Sequence, residues 1–448
     1  MPGHKGNLVF VDSVFPYASD VSELDITDDL HRPEHALLRL KNRASKLWNA
    51  NDSWLLTNGS TAGNFIAISA AEQMMKAGLS SNKKKIVLVE RNSHRSIFNI
   101  LNILELPYIT LDIRKSDKNE DIFISPSYEM IRKFVEEYRG QIGLIILTMP
   151  NYEGIYSSEL EKIICLAKDE GILLHIDAAH GAHLKFIDED FDLGKLGVDL
   201  FTISLHKTLP AATSTAILFT SGDRIDSEIV DHFYDCYETS SPSYPLLLSI
   251  EDCLDFLDDL EDISTIKQNL KNIKESLKEK SYKILDNDDI SEECKIDPLK
   301  IFIKNAGAKE ILEGVGIYPE YSNYWGTLLI LGIKSSKEIV DLFPDFISGS
   351  ELLDEARVNC GCRIKEAAKE NRNIIKGKRY RQYKYVGKNE AIGKTLARDL
   401  YFYPPGVPYR LAGEIFTKDD CLGLDDLISN GLNGTKNGKV AVEVDEVD

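Results

Sequence analysis

Leu144-Ile145-Ile146-Leu147-Thr148, the amphipathic stretch Ser158–Glu170 and Ile172-Leu173-Leu174-His175-Ile176 follow one another directly in the chain. Runs this apolar suit strands covered on both faces. Strands that alternate with helices signal βαβ units and a mostly parallel sheet. The alternation extends outward over residues 55 to 220, with strands expected at Ile86–Glu90, Leu144–Thr148, Ile172–Ile176, Leu200–Ser204 and Thr215–Phe219. Helical patterns lie between them at Thr61–Ala77, Tyr128–Tyr138 and Ser158–Glu170. Upstream, residues 1–50 are irregular apart from a helical stretch near His35–Trp48. Downstream, one long charged helix is expected from Leu246 to Glu279, with strands at Lys300–Lys304 and Thr327–Leu331. These patterns divide the chain into an N-terminal segment and large α/β domain over 1–255 and a smaller α+β domain over 256–448. The tail after Gly431 is polar, ends in Glu and Asp and is expected to fray.

The 448 residues are too many for one small core. No apolar window is long enough for a transmembrane helix, and the N-terminus lacks a signal-peptide pattern. A formal net charge of −19 opposes binding to nucleic acid or anionic lipid. It suits a cationic substrate, and equally suits plain solubility. Seven scattered cysteines, an odd number, read as reduced cytoplasmic thiols. Only Cys360 and Cys362 are close in sequence, and two ligands one residue apart make half a zinc site at best. No metal is expected.

In an open parallel α/β sheet, ligands bind beyond the carboxyl ends of the strands. Four polar motifs fall there. Thr57-Asn58-Gly59-Ser60-Thr61-Ala62-Gly63-Asn64 opens a helix, and its free N–H groups, hydroxyls and positive dipole end suit a phosphate. Taken alone it reads rather as a plain Ser/Thr helix cap. Arg91-Asn92-Ser93-His94 follows the strand 86–90, where the His94 ring can stack on an aromatic cofactor or simply be a structural histidine. His175-Ile176-Asp177-Ala178-Ala179-His180-Gly181-Ala182-His183 puts a carboxylate at the end of an apolar run, a depth that demands a cationic partner such as a protonated pyridine nitrogen. The three histidines of that motif invite a metal reading, but they lack the one-face helical spacing of a metal pair. Ser204-Leu205-His206-Lys207-Thr208 follows the strand 200–204. A partly desolvated lysine there has a lowered pKa and can form an imine, and Ser204 and His206 flank it as phosphate ligands. A single lysine is by default a solvated one. Four motifs on one sheet edge, in the order such a site requires, outweigh that default.

At these residues the sequence resembles the prokaryotic ornithine/lysine/arginine decarboxylase family, fold type I of the pyridoxal-phosphate enzymes. The resemblance runs in order through PGHKG (2–6), DVSELDITDDLHRP (20–33), TNGSTAGN (57–64), RNSHRS (91–96), MPNYEGIY (149–156), HIDAAHGAHLKF (175–186), SLHKT (204–208), TSSPSYPLL (239–247) and YPPGVPYRLAGE (403–414). It implies a mostly parallel sheet with helices on both faces, pyridoxal 5′-phosphate held as a Schiff base on Lys207, Asp177 facing the pyridine nitrogen and His94 stacked on the ring. It assigns Gly59, Ser60, Thr61, Ser204 and His206 to the phosphate, and Thr239, Ser240 and Ser241 to a loop that reaches the neighbouring subunit's active site. A homodimer or higher oligomer follows, as do a small basic amino acid as substrate and a role in polyamine biosynthesis. The segment Tyr403–Gly406 with Glu414 matches an entrance where specificity is set.

Three departures from the family pattern stand out. The chain starts at PGHKG, where relatives carry a preceding helical segment, and a weaker dimer is the expected consequence. Ala178 stands where relatives often have Glu. Arg410 and Ala412 replace the usual aliphatic residue and Pro. Arg410 suits either an α-carboxylate, as in aminotransferases, or a surface position. Decarboxylation of lysine, ornithine or arginine is the expected reaction, with His94, His180 and His183 as candidate proton donors beside Lys207. Transamination or other Cα chemistry is the rival, and a non-catalytic homologue is the reading from another class.

Overall fold

The apolar runs become strands because their β-branched and leucine side chains bury both faces of an extended backbone. A computed structural model describes residues 16–24, 26–77, 86–119, 122–260, 263–305, 307–322, 326–346, 373–402, 407–429 and 431–444. Strands lie at Ile86–Glu90, Ile142–Thr148, Leu173–Asp177, Leu200–Ser204 and Ala216–Thr220, each within two residues of its expected bounds. Two further strands, Asp52–Leu56 and Pro107–Leu111, are not among the expected ones.

The chain forms two compact units, each discontinuous in sequence: Met1–Asn82 with Ile164–Ile263, and Lys83–Ile163 with Ser264–Asp448. The expected boundary at 255/256 falls inside the helix Tyr244–Asp258.

In the first unit the strands run in the order Asp52–Leu56, Ala216–Thr220, Leu200–Ser204, Leu173–Asp177. The first two pairings are antiparallel and the last is parallel, with Asp177 opposite Thr202. Every residue of Leu200–Ser204 and Ala216–Thr220 is buried. The helix Gly59–Lys76 lies tightly on these strands. A Cβ on Gly63 would stand 2.6 Å from Cγ2 of Thr202 and 2.8 Å from Cδ1 of Leu56, so only glycine permits the approach.

In the second unit Ile142–Thr148, Ile86–Glu90 and Pro107–Leu111 are parallel neighbours, and Ile375–Lys376 adds an antiparallel edge. The link from Ile86–Glu90 through the helix Arg95–Ile103 to Pro107–Leu111 is a βαβ unit. A separate three-stranded sheet joins Lys300–Ile303, Thr327–Ile330 and Tyr321–Ser322.

Two expectations are corrected. The long helix 246–279 is two helices, Tyr244–Asp258 and Ile263–Glu279. Residues 258–262 read Asp-Asp-Leu-Glu-Asp, and such acid is unfavourable at a helix C-terminus but favourable before the next N-terminus. The stretch after Gly431 is not frayed over Val440–Glu443, a strand paired with Tyr383–Val386. Val440, Ala441 and Val442 are buried there, two of them in a core with Leu396, Leu400, Phe416 and Leu424. Among the described residues no helix is long and apolar enough to cross a membrane.

Candidate functional site

Asp177 ends the strand Leu173–Asp177 and is 3% exposed. A carboxylate at this depth must have its oxygens hydrogen-bonded. The Asn64 amide donates to Oδ2 at 2.9 Å and the Ala179 N–H to Oδ1 at 3.1 Å. Asp177 forms no ion pair with Lys, Arg or His among the described residues, so its charge is held by dipoles alone. Two residues earlier on the same strand, His175 is fully buried with Nε2 3.0 Å from Oδ1 of Asn64. Burial pushes its imidazole down to about 4, against the weaker pull of Asp177.

Lys207 lies in the single helical turn Leu205–Thr208, directly after the strand Leu200–Ser204. The turn is stapled by the Leu205 N–H to the Thr215 carbonyl at 3.1 Å, and Nδ1 of His206 meets the same carbonyl at 3.1 Å. Burial lowers the His206 pKa. Because Leu173–Asp177 and Leu200–Ser204 are parallel neighbours, Asp177 and the Lys207 turn leave the same end of the sheet. The Lys207 Nζ is 3.2 Å from Nε2 of His180, which is 7% exposed. The hydroxyls of Thr202, Ser204 and Thr208 are buried with no hydrogen-bond partner. Three orphaned hydroxyls on the strand and turn that carry Lys207 are out of keeping with a finished core.

The helix Gly59–Lys76 begins at Asn58, whose side chain makes no capping bond, so the Ser/Thr cap reading does not apply. Gly59 has φ +75°, a conformation open to glycine at little cost. Ser60 is half-buried and Thr61 exposed. Behind them Glu238, buried, accepts from the Thr57 hydroxyl at 2.7 Å and the Thr239 N–H at 3.3 Å. Burial raises its carboxyl pKa. Thr239 also gives its carbonyl to Nε2 of His31 at 3.0 Å, while Ser240 is exposed. Glu238, Asn64 and His175 went unassigned in the sequence reading. Only their burial beside charged or polar partners marks them.

The other candidates belong to the second unit. His94 is an exposed N-cap of the helix Arg95–Ile103, with Nδ1 3.2 Å from the Ser96 N–H and 2.9 Å from the Ser96 hydroxyl. The neighbouring Arg91 is buried and donates to both oxygens of buried Glu414, at 2.7 and 2.9 Å. Glu414 is therefore an ion-pair partner here. Arg410 is neither exposed nor free. It is 7% exposed and its Nε donates to Asp420 at 3.0 Å, which neutralises the group that suggested transamination. Ala178 is fully buried, its N–H on the Thr202 carbonyl. Residues 2–6, 360, 362 and 403–406 lie outside the described residues. Among the described residues no three His, Cys, Asp or Glu are grouped to hold a metal.

The residues of the first unit fit pyridoxal phosphate. A buried anion without a cation suits the pyridinium nitrogen, a lysine suits the aldehyde, and the orphaned hydroxyls with the uncapped helix start suit polar oxygens of the cofactor. The chain matches the family description "Orn/Lys/Arg decarboxylase, major domain" over residues 1–296. It is 29% identical to the uncharacterized protein YaaO of Bacillus subtilis, over 98% of this chain and 93% of that one. It is 23% identical to an arginine decarboxylase of Bacillus anthracis, over 90% and 83%. The lysine decarboxylase LdcF of Francisella novicida superposes with a TM-score of 0.76 at 18% identity, over 99% of this chain and 78% of that one, a likeness of fold. The chain belongs to the Orn/Lys/Arg decarboxylase family, and it is a pyridoxal-phosphate-dependent decarboxylase of fold type I.

Proposed function

We propose that the protein decarboxylates a basic amino acid, lysine, ornithine or arginine, to the corresponding amine and carbon dioxide. The observation that carries this is the placement of Lys207 and buried Asp177 at the same end of two parallel strands. When bound, the cofactor supplies the electron sink for the bond that breaks. Asp177, held by Asn64 and Ala179, would face the ring nitrogen. Lys207 would hold the cofactor's aldehyde through its side-chain amine. His180, 3.2 Å from Nζ, takes and returns the lysine proton. In this reading Gly59, Ser60, Thr61, Ser204 and His206 would hold the phosphate. Thr239 and Ser240 serve the active site of a second copy in a homodimer. The names of the arginine and lysine decarboxylase relatives support a basic substrate, and the net charge of −19 agrees with one. A place in polyamine biosynthesis follows from that substrate class. Free thiols at Cys165, Cys236, Cys253, Cys294 and Cys421 support a cytoplasmic location.

The test is incubation of the purified, cofactor-loaded protein with each of lysine, ornithine and arginine. Release of carbon dioxide with the matching amine by mass is the expected result. A keto acid in place of the amine, or no product from all three, overturns it.

A further inference from the structure

Asn64 sits within the first two turns of the helix Gly59–Lys76 and is 1% exposed. Asparagine is a poor helix residue, and its amide is costly to bury unless both ends are bonded. Here the two ends meet different partners. An ionised carboxylate only accepts, so the amide nitrogen must face Asp177, at 2.9 Å. The amide oxygen then faces Nε2 of His175 at 3.0 Å, which makes that nitrogen the N–H donor, while burial, which lowers the imidazole to about 4, keeps the ring neutral. His175 and Asp177 are two apart on one strand and so share a face. The Gly63–Thr202 approach brings Asn64 within reach of both.

We propose that Asn64 is the positioning residue of Asp177, the centre of a relay in which the His175 N–H holds the amide and the amide holds the carboxylate. The proposal rests on the reading that Asp177 faces the cofactor ring. Asn64 and Ala179 each bond one carboxylate oxygen and bring no cation. The carboxylate is thus aimed and kept anionic, with its charge left for the ring nitrogen. Without Asn64 it can turn, and the ring nitrogen loses a defined partner.

The experiment uses the cofactor-loaded enzyme and the variants Asn64→Leu, His175→Leu and His175→Gln, each alone and in an Asp177→Asn background. Asn64→Leu is expected to lower kcat about 10- to 100-fold, the usual effect of removing an outer partner of a charged ligand. KM for the amino acid should stay within about twofold, and the pH midpoint of the cofactor's absorbance should shift. His175→Leu should shift the same midpoint in the same direction, and His175→Gln, which retains an N–H donor, should restore it. In the Asp177→Asn background Asn64→Leu should change little more, because the relay's target is gone. Equal losses in both backgrounds, or an unmoved midpoint in both Asn64→Leu and His175→Leu, overturn the relay. Should Asn64→Leu fail to fold, the His175 pair decides alone. If Asp177→Asn itself leaves spectrum and turnover unchanged, the site reading falls and the relay with it. If Asp177→Asn is crippling while the relay variants match the parent, the relay falls and the site reading stands.

Discussion

Nζ of Lys207 and Nε2 of His180 are 3.2 Å apart, a hydrogen-bond distance between the amine proposed to form the imine and a nearly buried imidazole. An ammonium is no nucleophile, and a base at this distance gives its proton somewhere to go. His180→Gln is therefore expected to reduce kcat about 10²-fold or more, the scale of one general acid–base group. Lys207 is untouched, so the visible absorbance of the lysine-bound cofactor should persist. Carbon dioxide release and absorbance, measured together, check this. Parental kcat would remove His180 from the chemistry.

Lys207→Ala should abolish that absorbance band altogether, because no other amine sits in its turn. Asp177→Ala should keep part of the cofactor and lose turnover by about 10²-fold or more, as removal of a preorganised charge at a reacting group does. Spectra and kcat of the two variants separate the roles. A retained band in Lys207→Ala, or near-normal turnover in Asp177→Ala, rejects the respective assignment.

The Arg91–Glu414 pair lies wholly within the second unit, at 2% and 0% side-chain exposure. Removing one partner of so buried a pair strands the other charge and costs about 3–5 kcal/mol. Glu414→Gln should lower the urea midpoint accordingly, and Arg91→Met with Glu414→Leu should recover much of the loss. A Glu414→Gln variant as stable as the parent would show the pair to be dispensable.

Glu90 ends the strand Ile86–Glu90, fully buried, and accepts the Thr148 N–H at 2.9 Å. Burial pushes its carboxyl from 4.5 up to about 8. The folded chain therefore keeps a proton that the unfolded chain has already released. Stability from this group falls as pH rises between 4.5 and about 8. Glu90→Gln cannot lose that proton, so its stability relative to the parent should improve from pH 5 to pH 8, read by denaturant unfolding at each pH. A pH-independent difference would mean that Glu90 is ionised in the folded protein.

Much of the site was legible because it depends on local pattern. An apolar run followed at once by Asp177, or by Ser204 and Lys207, says strand end, and strand ends are where parallel α/β proteins bind ligands. Arg410 shows where such reading stops. Its partner Asp420 is ten residues on, past a turn and inside the helix Lys418–Ser429, and no periodicity links them.

The sequence by itself determined five strands of the sheet and singled out Lys207 and Asp177 as candidates, since side-chain period and chain neighbours are local properties. Tertiary structure alone decided that Asn64 reaches across 113 positions to Asp177, that Glu238 backs the helix start at Thr57, and that the helix after Leu246 breaks in its acid run. Hydrogen-bond partners of buried polar groups are chosen by packing, here by a glycine that lets a helix close onto a strand, and that choice is made in three dimensions.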